Sequence, residues 1–138
     1  MLFFGQDRLL QRFSDGIAHA PDSATPLDAI TAALDSFDEV FGPERRQWAQ
    51  QLRTIVAGNI ELQERELLKR TALTAAIADA FQARGLPEPA ASLAAEFGSL
   101  TFRTAFAQWV ESPEEQKFSE LARHRLHELR TAATLLDR

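Results

Sequence analysis

The chain has 138 residues, 45% apolar and 25% charged, with a net charge of −5 and no cysteine. That length fits one domain with a core of its own, and the absence of cysteine excludes disulfides and thiolate metal sites. Arg8 and Arg12 stand against eight acids in residues 1–44 while the remainder is near neutral, so no basic patch is large enough to hold a nucleic-acid backbone.

No apolar run approaches the roughly 18 residues of a membrane span. Met1-Leu-Phe-Phe runs at once into Gln6-Asp7-Arg8, which is not the pattern of a signal peptide. The expected location is the cytoplasm, with no membrane partner.

Six helices and no strand are predicted, so the expected fold is all-α: an antiparallel helical bundle forming one domain over 1–138. The first helix covers about 6–19, with Leu9, Leu10, Phe13 and Ile17 on one face and Phe3-Phe4 as a hydrophobic staple. The second opens at Thr25-Pro26-Leu27-Asp28, where Thr caps, Pro occupies the first turn and Asp answers three residues on. Its stripe of Leu27, Ile30, Ala33, Leu34, Phe37 and Phe41 is expected to run unbroken to Gly42-Pro43.

The third helix is expected over about 44–57. Trp48, Leu52, Ile55 and Val56 share its inner face, and Arg45, Arg46, Gln50 and Arg53 point away. Gly58 is read as a left-handed stop and Asn59 as the next cap. The fourth, about 60–84, carries Glu61→Arg65 and Glu66→Arg70 pairs and closes at Gly85-Leu86-Pro87.

The fifth, 89–110, is apolar on two flanks. One flank has Leu93, Phe97 and Leu100; the other has Ala91, Ala95, Gly98, Phe102, Ala105, Phe106 and Trp109. A helix apolar nearly all round is buried on most sides. The sixth is expected from Ser112-Pro113-Glu114-Glu115, with a stripe from Phe118 to Leu136 that Arg125 interrupts.

Enzyme signatures are absent: there is no phosphate loop, nucleophile elbow or His-Glu-x-x-His run. His124-x-x-His127 has metal-ligand spacing but no further ligands in sequence, so it reads as a solvated face. No catalytic residue, metal or cofactor is expected. Thr71, Thr101, Gln108 and Gln51 are the polar groups available to an apolar cavity.

Three runs carry a family likeness: Gln51 to Leu67 (QLRTIVAGNIELQEREL), Arg84-Gly-Leu-Pro-Glu-Pro89, and Phe102-Arg-Thr-Ala-Phe-Ala-Gln-Trp109. Together they resemble the C-terminal regulatory domain of TetR/AcrR-type transcriptional regulators. Phe3 to Leu10 resembles the stretch that follows the recognition helix in that family, with Gln6, Asp7 and Arg8 where Ser, Lys and Glu are usual.

The resemblance implies a homodimer through the last two helices and a small-molecule cavity enclosed by the earlier ones. DNA binding would fall to a helix-turn-helix ahead of Phe3, where this sequence has only Met1 and Leu2. The residues expected near the cavity are Trp48, Leu52, Phe81, Phe97, Leu100 and Thr101. Those expected at the dimer interface are Phe102, Ala105, Trp109, Arg125, Leu126, Leu129 and Ala133.

The expected effector is apolar or aromatic, because no Arg or Lys pair falls on a face read as buried. The alternative is a helical adaptor that dimerises the same way and binds no DNA.

Overall fold

The structure, a computed structural model, describes residues 6–112 and 116–138. Its helices are α1 (Gln6–Ala18), α2 (Pro26–Asp35), α3 (Pro43–Ala57), α4 (Ile60–Ala83), α5 (Glu88–Glu111) and α6 (Phe118–Leu135). A 3-10 turn, Ser36–Glu39, follows α2. No strand occurs among the described residues, and the chain is an all-α bundle. The Phe3-Phe4 staple and the Pro113-Glu114-Glu115 start lie outside the described residues.

α2 begins as its sequence dictates. Thr25 Oγ1 accepts from Asp28 N–H at 3.1 Å, and the Asp28 carboxylate accepts from Thr25 N–H at 3.4 Å. Its end differs from expectation: the α-helix stops at Asp35, short of Phe41. Arg12 donates to the Ser36 carbonyl at 2.9 Å, and Val40 N–H turns instead to the Phe37 carbonyl at 3.0 Å. An α-helix would have joined Val40 N–H to that Ser36 carbonyl.

The turn leaves Phe37 and Phe41 both buried. Around them an aromatic cluster closes the core. Phe37 meets Phe102 edge-on at 5.2 Å, and Phe41 touches Trp109 and Phe118 at 5.0 Å each. Such pairs add about 0.5–1.5 kcal/mol each beyond the area they bury.

Gly58 has φ −99° and is not left-handed, whereas Gly85, at φ +99°, is. Gly85 turns the chain between α4 and α5, which pack extensively as an antiparallel hairpin. Asn59 caps α4 by accepting from Leu62 N–H at 3.1 Å. Glu66 pairs with Lys69 at 3.3 Å rather than with Arg70.

α6 starts at Phe118, later than expected, with the Glu120 carboxylate accepting from Lys117 N–H at 3.1 Å. A second carboxylate reaches the same end from the 3-10 turn. Asp38 accepts from Ser119 N–H at 2.9 Å and from the Ser119 hydroxyl. Negative charge at a helix N-terminus satisfies free amides and complements the dipole.

Among the described glycines, Gly16 has the least room for a side chain. A methyl group there would lie 2.6 Å from Ala33 Cα, so α1 and α2 cross at contact that only glycine permits. Gly98 has room for a methyl, with Ile77, Ile30 and Phe13 at 3.4–3.5 Å.

Candidate functional site

α5 lies between α4 on one side and α6 on the other, and its two flanks have opposite fates. Ala91, Ala95, Gly98, Ala105 and Trp109 are buried within this chain, Trp109 to 1% exposure. Phe102 packs against Phe13, Phe37, Phe41 and Phe118.

The interface expected at Ala105 and Trp109 is therefore corrected: those side chains are spent on the chain's own core, and Phe102, half-buried, packs against that same core. The outward flank carries Leu93, 67% exposed, and Leu100, 36% exposed, with Phe97 partly buried beside them. Glu96 is exposed and Arg103 and Thr104 half-buried on that side.

Of the interface residues expected on α6, Leu126 is buried, while Arg125, Leu129 and Ala133 are half-buried. Arg125 pairs with Glu128 at 3.1 Å and donates to the Gln108 side chain at 3.4 Å. That contact ties α6 to the outer half of α5 and leaves Arg125 Nε buried without a partner among the described residues.

Arg103, one helix away, also has an unpartnered Nε. Burial and the neighbouring Arg70 lower its pKa, and Glu96 opposes them. On the far face of α6, Asp35 and Arg123 form a two-point pair at 3.0 and 2.6 Å that raises the Arg123 pKa.

The residues expected to line one cavity do not converge. Phe81 is buried near the α4–α5 turn, whereas Trp48 and Leu52 are half-buried on α3. α3 packs on the opposite end of α5, where Arg46 and Gln50 bind the carbonyls of Trp109 and Val110. Those ends of α5, a helix of 24 residues, are separated by about 35 Å at 1.5 Å per residue. Thr101 is buried with its hydroxyl donating to the Phe97 carbonyl at 2.7 Å, and Leu100 faces outward.

α3 keeps Trp48, Leu52 and Val56 half-buried and Gln50 and Arg53 exposed, but departs from expectation at two positions. Arg46 is 4% exposed and Ile55 is 55% exposed. Arg46 donates to the Trp109 carbonyl at 3.1 Å and the Gln116 carbonyl at 2.6 Å, and its Cζ stands 4.9 Å from the Trp109 ring centroid. Gln50 donates to the Val110 carbonyl at 2.7 Å, and Arg53 pairs with Glu111 at 3.2 Å. The last carbonyls of a helix lack partners within it, and α3 supplies them. Arg46 is thus a single buried arginine on a helix face read as exposed.

Two open grooves border α3. One, of about 600 Å³, is lined by Arg8, Leu9, Arg12, Asp15, His19, Val40 and Arg45, among others. The second, of about 710 Å³, shares Val40 and Arg45 and adds Glu39, Glu44 and Trp48. Arg45 stands over the Trp48 ring at 5.7 Å. His124 and His127 are exposed on α6, His124 lying 3.7 Å from Glu128.

No helix among the described residues is long and apolar enough to cross a membrane. The chain matches no protein-family model and no curated protein. What the fold defines is the class: an all-α bundle whose long α4–α5 hairpin leaves Leu93 and Leu100 of α5 exposed.

Proposed function

We propose that this chain is the regulatory domain of a TetR-like transcriptional regulator, a homodimer that responds to a small apolar or aromatic effector. The observation that carries the reading is the outward face of α5, where Leu93 and Leu100 are exposed, with Arg125 and Leu129 half-buried on α6, the helix packed against it. Exposed large apolar residues grouped on one face mark an association surface. The last two helices are also the pair through which the resembled family dimerises.

The effector has a place in the grooves along α3, where Trp48 presents a half-exposed ring. There it would bias the position of α3, which holds the C-terminal carbonyls of α5. An effector acts only through different affinities for two states. DNA contact belongs in this reading to a helix-turn-helix segment and not to these residues.

Sedimentation velocity over micromolar concentrations tests the dimer. The wild type should sediment as a dimer, and Leu100→Glu should sediment as a monomer with unchanged helical circular dichroism. A monomeric wild type overturns the reading. Native mass spectrometry of protein taken gently through purification tests the effector, with a small apolar adduct as the expected result.

A further inference from the structure

The dimer proposed above leaves open how two copies lie against each other, and the charges on α5 constrain that. Leu93, Glu96, Leu100, Arg103 and Ala107 follow one another at three- and four-residue steps, so they share one helix face. Neither Glu96 nor Arg103 has an ion-pair partner among the described residues, and neither has Arg70 across the α4–α5 hairpin.

Arg103 is the more exposed to penalty. It is half-buried, its Nε has no acceptor, and Arg70 acts against it, which Glu96 of the same chain opposes without forming an ion pair. A half-desolvated cation beside a second cation is stabilised by an incoming carboxylate.

Resting on the dimer reading, we propose that two copies cross antiparallel along α5 with the two-fold axis at Leu100. Glu96 of each copy then meets Arg103, and Arg70 behind it, of the other. The register follows from the spacing. Glu96 lies four residues from Leu100, about 6 Å along the axis, and Arg103 three residues the other way, about 4.5 Å. Reversing one copy about Leu100 brings the two charges within about 1.5 Å of the same level.

The same operation sets Leu93 of one copy opposite Ala107 of the other, a large side chain against a small one. A two-fold contact must be self-complementary in this sense. Stable dimers bury about 1,200–2,000 Å² in total, more than one helix face offers, and α6 adds Leu129 and Ala133 alongside.

Charge reversal tests the register in a protein that keeps its own fold, because Glu96 is exposed and Arg103→Glu places a carboxylate beside Arg70. Glu96→Arg and Arg103→Glu should each raise the dimer dissociation constant at least about tenfold, since the symmetry breaks two pairs at once. The double variant should return to within about threefold of wild type, as restored complementarity requires. Because the chain has no cysteine, Leu100→Cys gives a second readout, and mild oxidation should yield a covalent dimer.

If the wild type dimerises but the single reversals leave the constant unchanged, or the double variant fails to recover, the register is wrong while the dimer stands. Failure of Leu100→Cys to cross-link in a dimeric protein equally overturns it. A monomeric wild type removes both proposals.

Discussion

Arg46 lies 4.9 Å from the ring centroid of Trp109 and donates to the carbonyl of that same residue. One side chain of α3 thus stacks on the last large ring of α5 and satisfies its helix end. The pattern recurs at Arg84, which ends α4 and donates to the carbonyls of Ile17, in the last turn of α1, and of Ala20 and Pro21 just after it. None of the six helices has a basic residue in its own last turn. Three of the C-terminal ends are served by arginines from elsewhere in the chain: α5 by Arg46, α1 by Arg84, and α2, at its cap residue Ser36, by Arg12. Replacing Arg46 by Ala takes the arginine donor from the Gln116 carbonyl, leaves the Trp109 carbonyl with only Ser112 N–H at 3.1 Å, and empties a buried site, so it should cost about 2–4 kcal/mol. Lysine should recover only part of this, because it lacks the planar fork. Urea unfolding measures both, and a loss under 0.5 kcal/mol for Arg46→Ala would contradict the contact's importance.

Glycine substitutions separate close contact from helix propensity. Gly16→Ala places a methyl 2.6 Å from Ala33 Cα, and backbone cannot step aside as a flexible side chain does. The expected loss is about 2–3 kcal/mol. Gly98→Ala meets only side-chain tips at 3.4 Å or more and gains up to about 1 kcal/mol of helix propensity. Gly85→Ala forces a side chain into φ +99° and should cost about 1–2 kcal/mol. Thermal unfolding of the three variants should therefore rank Gly98→Ala first, Gly85→Ala next and Gly16→Ala last. A Gly16→Ala protein as stable as wild type would mean that α1 and α2 do not cross as closely as described.

What could be read from the sequence was what is decided locally. The Thr25-Pro26-Asp28 start needs only four neighbouring residues, and the hairpin of α4 and α5 needs only two long helices and Gly85. The faces of α5 were another matter. Both of its flanks are apolar, and periodicity identifies a face without saying which neighbour it meets. Phe102 and Trp109 went inward because Phe37, Phe41 and Phe118, all distant in sequence, meet there. Arg46 was misplaced for a related reason. A pattern of polar and apolar residues sends arginine outward, and only the open end of α5 calls it in. The break after Asp35 likewise depends on Arg12, 24 residues from the carbonyl it takes.

Asp38 reaches the start of α6 from the 3-10 turn, accepting from both the amide and the hydroxyl of Ser119. It does what a capping side chain does, across 81 residues of sequence. Asp38→Ala should cost about 1–2 kcal/mol, as the loss of a cap does, and Ser119→Ala less, because the amide bond survives. Hydrogen exchange should localise the loss to the first turn of α6 in Asp38→Ala. Uniform loosening across all six helices would contradict a capping role.

The two tryptophans report on different places. Trp109 is 1% exposed within the aromatic cluster, while Trp48 is half-buried at the rim of a groove with Arg45 over its ring. Trp48→Phe should leave a blue-shifted emission that acrylamide quenches poorly. Trp109→Phe should leave a red-shifted emission that it quenches readily, and should also destabilise the protein, since filling the site with Phe leaves a void in a packed core. An apolar aromatic effector in the α3 groove should perturb Trp48 emission directly. In the Trp48→Phe protein the same titration should change Trp109 emission only if α3 shifts against the end of α5, because Arg46 joins the two. A titration that alters neither signal while the ligand demonstrably binds would place the effector elsewhere in the bundle.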